Sequence, residues 1–246
     1  MNRALAFSLL SMPGLLAACT PDRCALGNDE LSMVVTATDL LTEDGEEVRV
    51  AVNIAYGERT QLPTWWTTCD GDRVLINGEE AREIDQDDRT DYTLFLDGDA
   101  GEVVTVELDR ADEDLVTASV ERPPRFEILT PEPGASLSRS EQTQITWAPP
   151  ADGEQMQIQV LEELGGGRCI LSEDPDHDYK SIGGVRVDDV GQWTIPPGVL
   201  ANDGDLRCDA RYLLRRFSRG DYPEALAPGG FVQAEVLRIL VFESVP

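Results

Sequence analysis

Lysine, histidine and long apolar runs are nearly absent from this sequence. Lys180 is the only lysine and His177 the only histidine among 246 residues. Neither a G-x-S-x-G nor an H-E-x-x-H pattern occurs, so the signatures of α/β-hydrolases and zincins are missing. No apolar run reaches the roughly 20 residues that a membrane-spanning helix needs. The sequence therefore offers no recognisable catalytic motif.

Positive charge is scarce as well. Acids outnumber bases by 47 to 20, which gives a formal net charge of −27 at pH 7. Such a surface repels the phosphates of nucleic acids and the headgroups of anionic lipids. We therefore expect no nucleic-acid partner, and contact with a membrane only through an anchor outside the folded body.

The first residues have the three parts of an export signal. Arg3 supplies the positive charge, residues 4–16 are mostly apolar, and small residues lead up to Cys19. The stretch Leu16-Ala17-Ala18-Cys19 resembles the lipobox of bacterial lipoproteins. The resemblance implies cleavage after residue 18, acylation of Cys19 with chains such as palmitate, and a lipidated tether over residues 19–30. Thr20, where an Asp would resemble an inner-membrane retention signal, favours the outer membrane. The alternative is an ordinary cleaved signal with a structural Cys19.

If Cys19 carries lipid, four cysteines remain for the exported body. They are Cys24, Cys69, Cys169 and Cys208. An oxidising compartment favours disulfides, and four cysteines allow three connectivities. A domain boundary falls between the second and the third of them, so we predict the pairs Cys24–Cys69 and Cys169–Cys208.

Alternating apolar residues predict β-strands through most of the body. In residues 47–56 the apolar side chains fall on every second position. Asn77-Gly78 predicts a tight hairpin, and residues 97–101 predict a second one. Near the end, Leu206, Cys208, Ala210, Tyr212 and Leu214 face inward while Arg207, Asp209, Arg211 and Arg215 face outward. Apart from Arg238, residues 237–242 are apolar on both faces, as in the middle of a sheet.

Short strands with frequent turns, and no lasting helical period, predict an all-β fold of two consecutive small antiparallel β-sandwiches. Pro123-Pro124 divides them into domains 31–122 and 123–246 after the signal peptide 1–18 and the tether. A Pro/Gly loop leads into a strand ending at Trp147. Through this stretch, residues 128–147, the second unit resembles Ig-like and fibronectin-III-like domains of bacterial surface proteins. The Cys–Trp–Cys spacing of antibody domains is missing, so the resemblance concerns architecture alone.

Two features are candidate binding sites. Trp65 and Trp66 are adjacent, so in a strand they face opposite sides. One could pack on the Cys24–Cys69 bridge while the other stacks on a sugar or a partner. The alternative is that both are packed under loops. Asp174, Asp176 and Asp178 alternate like ligands of Ca²⁺, although an acidic surface loop is the simpler interpretation. We expect no obligatory cofactor and no catalytic residue.

A cationic stretch and an adhesion-type tripeptide complete the candidates. Arg207, Arg211, Arg215, Arg216 and Arg219 could clamp an acidic surface of this chain or of a partner, or pair across their own sheet. The tripeptide Arg219-Gly220-Asp221 resembles the integrin-binding motif of animal adhesion proteins, and a simple turn is the alternative.

These observations predict a lipid-anchored cell-envelope protein with a binding, adhesion or envelope-structural role and no enzymatic activity. Its partners would be the membrane, through the lipid, and an envelope protein or polysaccharide. The alternative is a polysaccharide-acting enzyme, or an accessory carbohydrate-binding subunit, that uses paired carboxylates and an exposed Trp.

Overall fold

The computed structural model describes residues 22–42, 45–56, 64–86, 89–97, 102–162, 178–179, 184–200 and 207–246. Within them the chain forms seventeen strands, two short 3-10 helices and no α-helix. The 3-10 helices are η1 (Arg23–Ala25) and η2 (Asn28–Glu30). The strands are β1 (Leu31–Thr42), β2 (Gly45–Tyr56), β3 (Thr64–Trp65), β4 (Arg73–Ile76), β5 (Glu79–Glu80), β6 (Arg82–Gln86), β7 (Arg89–Leu96), β8 (Val103–Asp109), β9 (Val116–Glu121), β10 (Glu127–Thr130), β11 (Ser136–Ser138), β12 (Thr143–Ala148), β13 (Gln155–Glu162), β14 (Val185–Asp188), β15 (Gln192–Ile195), β16 (Cys208–Arg219) and β17 (Phe231–Val245). The described part contains no helix long and apolar enough to cross a membrane.

The strands form three sheets that build two sandwiches. Eight strands of a ten-stranded sheet follow the order β14-β13-β16-β17-β1-β2-β7-β6, while β11 pairs with β17 and β3 with β2. The four-stranded sheet β5-β4-β8-β9 packs on one half of this large sheet, and the three-stranded sheet β10-β12-β15 on the other. Each small sheet shares a hydrophobic core with its half. The predicted all-β, β-sandwich fold is confirmed.

Local sequence patterns account for the individual strands. Val48, Val50 and Val52 are buried on one face of β2, while Arg49 points to the other. Asn77 and Gly78 have φ values of 49° and 82° and make the turn between β4 and β5. This is the conformation in which glycine costs least and asparagine is tolerated. The predicted hairpin at Asn77-Gly78 is confirmed.

The second predicted hairpin, at residues 97–101, is wrong. β7 pairs with β2 and β6 in the ten-stranded sheet, whereas β8 pairs with β4 and β9 in the four-stranded one. The chain therefore crosses from one layer of the first sandwich to the other at this point. Turn-forming residues mark where a strand ends, but they do not say whether the next strand stays in the same sheet.

The long strand β17 runs through both sandwiches. Residues 231–236 pair in parallel with β1, and residues 243–245 pair in parallel with β11. On its other side β17 pairs with β16 along twelve residues. It lies in the middle of the sheet, as residues 237–242, apolar apart from Arg238, predict.

The connection between β16 and β17, together with the first residues of β17, also belongs to the first core. Leu226, Val232 and Ala234 are buried there among residues of β1, β2 and β9. The Tyr222 hydroxyl donates to the Ala227 carbonyl at 2.7 Å and accepts from the Met33 amide at 3.2 Å. The bounds 31–122 and 123–246 stay a prediction, and residues from the second range help to build both cores.

Buried arginines hold the junction between the two sandwiches. Arg216 and Asp189 are fully buried and bonded to each other at 2.6 Å. The Arg216 guanidinium also donates to the carbonyls of Pro124 and Pro149, each at 2.7 Å. Asp189 accepts in turn from the Trp147 indole at 2.6 Å. All polar atoms of this charge pair thus find partners, which is the condition under which burial of an ion pair is tolerated.

A second arginine network lies beside the first. Asp39 of β1 contacts Arg125 at 2.7 Å and Arg238 at 3.1 Å. Arg238 also donates to the Phe126 carbonyl at 3.1 Å, and both Arg216 and Arg238 lie over the Phe126 ring. The segment that links the two sandwiches is therefore fixed from both sides.

The direction of the strands shows where the amino-terminal segment lies relative to the second sandwich. β1 and β17 run parallel, and Val34 lies beside Phe231 at the beginning of β17. The 3-10 helices precede β1, so they lie at the end of the first sandwich that is farthest from the second core. The amino-terminal segment and the second sandwich are therefore at opposite ends.

Candidate functional site

A half-open cleft with a volume of about 630 Å³ lies at the amino-terminal end. Three segments form its walls: the residues of η1, the turn at residues 68–72 and the turn at residues 110–113. The Cys24–Cys69 disulfide joins the first two walls, with 5.8 Å between its Cα atoms. The predicted pairing of these two cysteines is confirmed.

Arg110 forms the floor of the cleft. Its guanidinium lies 5.3 Å from the centre of the Trp66 ring and donates to Asn28 Oδ1 at 3.1 Å. Asp72 lies 3.7 Å from Arg110 Nε, and its carboxylate accepts from the amides of Cys69 and Ala111. The floor is thus an ion pair between Arg110 and Asp72, and Asp72 holds the turns at residues 68–72 and 110–113 in place. The rim above it carries both acidic and basic side chains.

The two tryptophans have different environments. Trp66 is completely buried, and its indole N–H donates to the Arg23 carbonyl at 2.9 Å. It lies under the cleft and cannot stack on a ligand. Trp65 is half-buried on β3, beside Ala55 of β2. Of the two candidate binding residues, only Trp65 presents a surface to solvent.

Several candidates from the sequence lie outside the described residues: Cys19, Cys169, Asp174, Asp176 and His177. Cys208 is disulfide-bonded, and its pairing with Cys169 stays a prediction. Asp178 is described and exposed. In the part of the chain that the structure describes, no group of three or more His, Cys, Asp or Glu side chains could hold a metal ion.

The five arginines of the cationic stretch have different environments. Arg216 is buried at the junction, Arg207 contacts Glu243 at 3.3 Å, and Arg215 lies 4.0 Å from Glu235. Pairing across neighbouring strands thus accounts for two of them, as the simpler interpretation predicted. Arg211 and Arg219 make no ion pair with any described residue.

The tripeptide Arg219-Gly220-Asp221 closes a turn against β9. The amide of Asp221 donates to the Ser119 carbonyl at 3.1 Å, and that of Gly220 to Val232 at 3.0 Å. A Cβ atom on Gly220 would collide with the Ser119 carbonyl. Packing alone explains why this position needs glycine.

The buried carboxylates form ion pairs with arginines. Asp39, Asp91 and Asp189 are each in contact with at least one guanidinium. Glycoside hydrolysis needs two carboxyl groups facing each other across a substrate cleft. Within the described residues these buried acids serve as structural ion pairs instead.

Two buried tyrosines have shifted pKa values. Burial raises the pKa of Tyr92, although the Thr68 amide donates to its hydroxyl at 2.7 Å. Burial also raises the pKa of Tyr212, whose ring stacks on Phe242 with 4.4 Å between centres. Raised values keep both phenols neutral, so these side chains act as core residues rather than as bases.

Two groups of polar residues could not be found from local patterns. One is the junction network of Asp39, Arg125, Arg238 and their partners, which joins residues nearly 200 positions apart. The other is the outward face of the ten-stranded sheet, where Arg49, Arg82 and Arg186 join Arg211 and Arg219. The only signal in the sequence is that Arg49, Arg186 and Arg211 alternate with buried neighbours along their strands, and alternation does not say which strands are adjacent.

Comparison with known proteins assigns no family to this chain. No protein-family model matches it, and no curated protein matches it. One solved structure, the fibronectin(III)-like modules of Clostridium thermocellum CbhA, is similar at 9% identity and a TM-score of 0.23, covering 84% of this chain and 92% of the other. A likeness at this level carries no argument about function, and the sandwich architecture rests on the sheets themselves.

Proposed function

We propose that this chain is a lipid-anchored protein of the cell envelope, without enzymatic activity, in which two joined sandwiches act as a stiff display arm. The lipobox-like stretch Leu16-Ala17-Ala18-Cys19 supports anchoring at residue 19, with the outer membrane as the location. The acidity of the chain, whose full sequence has a net charge of −27, supports a position off an anionic membrane surface. The role of the arm is binding or structural.

The observation that carries this proposal is the path of β17. Its fifteen residues extend about 50 Å at roughly 3.3 Å per residue. The amino-terminal segment lies at one end of this path and the second core at the other. The arginine networks around Asp39 and Asp189 fix the junction. An anchor on residue 19 would therefore hold the second sandwich away from the membrane.

Intact mass spectrometry of the membrane form tests the anchor. We expect a chain that begins at residue 19, carries the mass of its acyl groups and has no free thiol. A Cys19→Ser variant should lose the acyl mass and appear in the soluble fraction. Recovery of the unmodified full-length chain from the native membrane, or of a membrane-bound Cys19→Ser variant, would contradict the proposal.

A second candidate function is supported by the cleft beside the disulfide. Its rim carries Arg23, Asp112 and Glu113, which offer both donors and acceptors to a hydroxyl-rich ligand. An accessory carbohydrate-binding subunit would use such a groove. Calorimetric titration with envelope oligosaccharides tests this, and a D112N/E113Q variant should lose the binding heat. Titrations without heat for the unaltered protein would exclude it.

A further inference from the structure

The ten-stranded sheet has an outer face, which we define as the side turned away from both cores. On β17 the inward residues Val232, Ala234 and Val236 are buried, while Gln233, Glu235 and Leu237 alternate with them on the outer side. The neighbouring strands β1 and β16 alternate in the same sense, although Ser32 and Leu213 on the outer side are also buried. Both small sheets pack on the opposite side, so no described sheet covers the outer face.

Arginines without a carboxylate partner collect on this face. Five arginines project from its strands: Arg49, Arg82, Arg186, Arg211 and Arg219. None of them makes an ion pair within 4.0 Å with a described residue. In a chain with 47 acids and 20 bases, acids are available nearly everywhere. A group of unpaired arginines on one face is therefore a specific feature of this surface.

The local balance of charge is reversed on this face. Besides those five, Arg89, Arg207 and Arg215 point outward, against the acids Glu47, Asp91, Asp97, Asp188, Asp209, Glu235 and Glu243. Among the described residues of this face arginines thus outnumber acids, while the whole chain has a charge of −27. An acidic molecule approaching this protein meets repulsion on most sides and attraction on the outer face.

Arg211 has an unsatisfied hydrogen-bond donor. It is half-buried between Val241 on β17 and Leu161 on β13. Its Nε atom is buried and has no hydrogen-bond acceptor. A buried donor without an acceptor costs free energy, so the described part of the chain leaves this guanidinium incompletely paired.

Apolar side chains lie among these arginines. Phe95, Ile239 and Val241 are 54%, 52% and 46% exposed. A small notch of about 140 Å³ opens between Leu40, Leu237 and Ile239. Arginine and exposed apolar residues, with no lysine among the described residues of this face, are the composition that protein interfaces favour.

We propose that the outer face is the docking surface for another protein, whose contacting surface is acidic with apolar side chains among its carboxylates. This inference rests on the proposed binding role and names the partner class. A polyanionic glycan or lipid would satisfy the arginines and leave the apolar residues in water. A two-fold dimer through this face would set a surface with excess arginine against itself.

Site-specific photocrosslinking in the native cells tests the docking surface. A benzoylphenylalanine replaces Ile239 on the outer face or, as a control, Leu129, which is 54% exposed on β10 of the opposite sheet. The first variant should give an adduct with a second protein, and the crosslinked peptide of that protein should carry a net negative charge. The control should give no such adduct.

Two further variants separate docking from overall charge. R49Q/R211Q removes two arginines from the outer face, and R73Q removes one from β4, on the opposite sheet. The first variant should lower the adduct yield by about fivefold or more, and the second should leave it unchanged. Thermal melting confirms that both are folded.

The proposal is overturned by an adduct with a second copy of this chain, by adducts with lipid or glycan alone, by no adduct above the Leu129 control, or by a yield insensitive to R49Q/R211Q. Mass analysis of Cys19 in the same samples reports anchoring separately. Loss of the anchor and loss of docking are therefore distinguishable.

Discussion

At the scale of single residues, the buried charges around Phe126 are the strongest constraints on this molecule. Arg216 lies on the buried face of β16, in line with Cys208, Ala210, Tyr212 and Leu214. Its position continues an apolar stripe, so a hydrophobic residue would satisfy the pattern. An arginine there, bonded to Asp189 and two carbonyls, ties the second core to the linking segment.

Replacement of Arg216 by alanine should lower the free energy of unfolding by about 3–5 kcal/mol, because Asp189 is left buried without its cation. Urea denaturation measures this loss. Arg207→Ala is the matched control: its ion pair with Glu243 is 72% exposed on the arginine side, so it should cost less than about 1 kcal/mol. Equal effects of the two variants would contradict the role of burial.

Tyr212 makes stability depend on pH in the alkaline range. Its pKa is raised by burial above the 10.0 of the unfolded chain. Above that pH the unfolded state releases a proton that the folded state retains, so stability is full below pH 10 and falls as pH rises further. The slope is about 1.4 kcal/mol per pH unit.

A Tyr212→Phe variant should therefore lose less stability between pH 10 and pH 11 than the unaltered protein does. Urea denaturation at both pH values compares the two slopes, with measurements at pH 7 as the reference for any packing effect of the substitution. Identical slopes would show that Tyr212 does not contribute to the alkaline transition.

At the scale of elements, a close approach of the backbone requires glycine at the turn that precedes β17. Gly230 precedes β17, and a Cβ atom there would collide with the Met33 carbonyl and with the Tyr222 ring. Gly230→Ala should destabilise the protein by about 1–3 kcal/mol. At Gly27 the nearest atom is instead the flexible Asp29 carboxylate, at 2.6 Å. Gly27→Ala should have little effect, and thermal melting of both variants tests the difference.

The strands themselves could be predicted from the sequence because alternation and turn residues are local. The periods at Val48–Val52 and Cys208–Leu214, and the turn at Asn77-Gly78, are all found in the structure. The pairing of strands was harder. The crossing after β7 was predicted as a hairpin, and the parallel pairing of β1 with β17 joins residues about 200 positions apart. No local pattern reports such a contact.

Some residues of the candidate site could likewise be predicted from the sequence, and others could not. Spacing and compartment predicted Cys24–Cys69, which is confirmed. Adjacent Trp65 and Trp66 were predicted to face opposite sides, and the structure buries Trp66 under Arg110. The unpaired arginines of the outer face come from strands far apart in the chain, so only the sheet order brings them together.

At the scale of the whole molecule, the two sandwiches should unfold as one unit. Both cores contain residues of β17, including Ala234 in the first and Phe242 in the second. Loss of either half removes a strand from the other. We therefore expect a single transition in scanning calorimetry, with equal calorimetric and van't Hoff enthalpies.

Substitutions in the two cores provide the check. Val106→Ala lies in the first core and Ile145→Ala in the second. Each should lower the Tm of the same single transition, because each leaves a cavity in a shared structure. A separate transition that moves in only one of the variants would contradict this expectation.

The shared strand also sets the order in which the protein can be made. In many proteins the amino-terminal part folds while the ribosome is still adding residues. Here the first sandwich needs Val232 and Ala234, so it cannot close until β17 has been synthesised. A nascent chain therefore stays unfolded through most of its synthesis, which would suit the export that we propose.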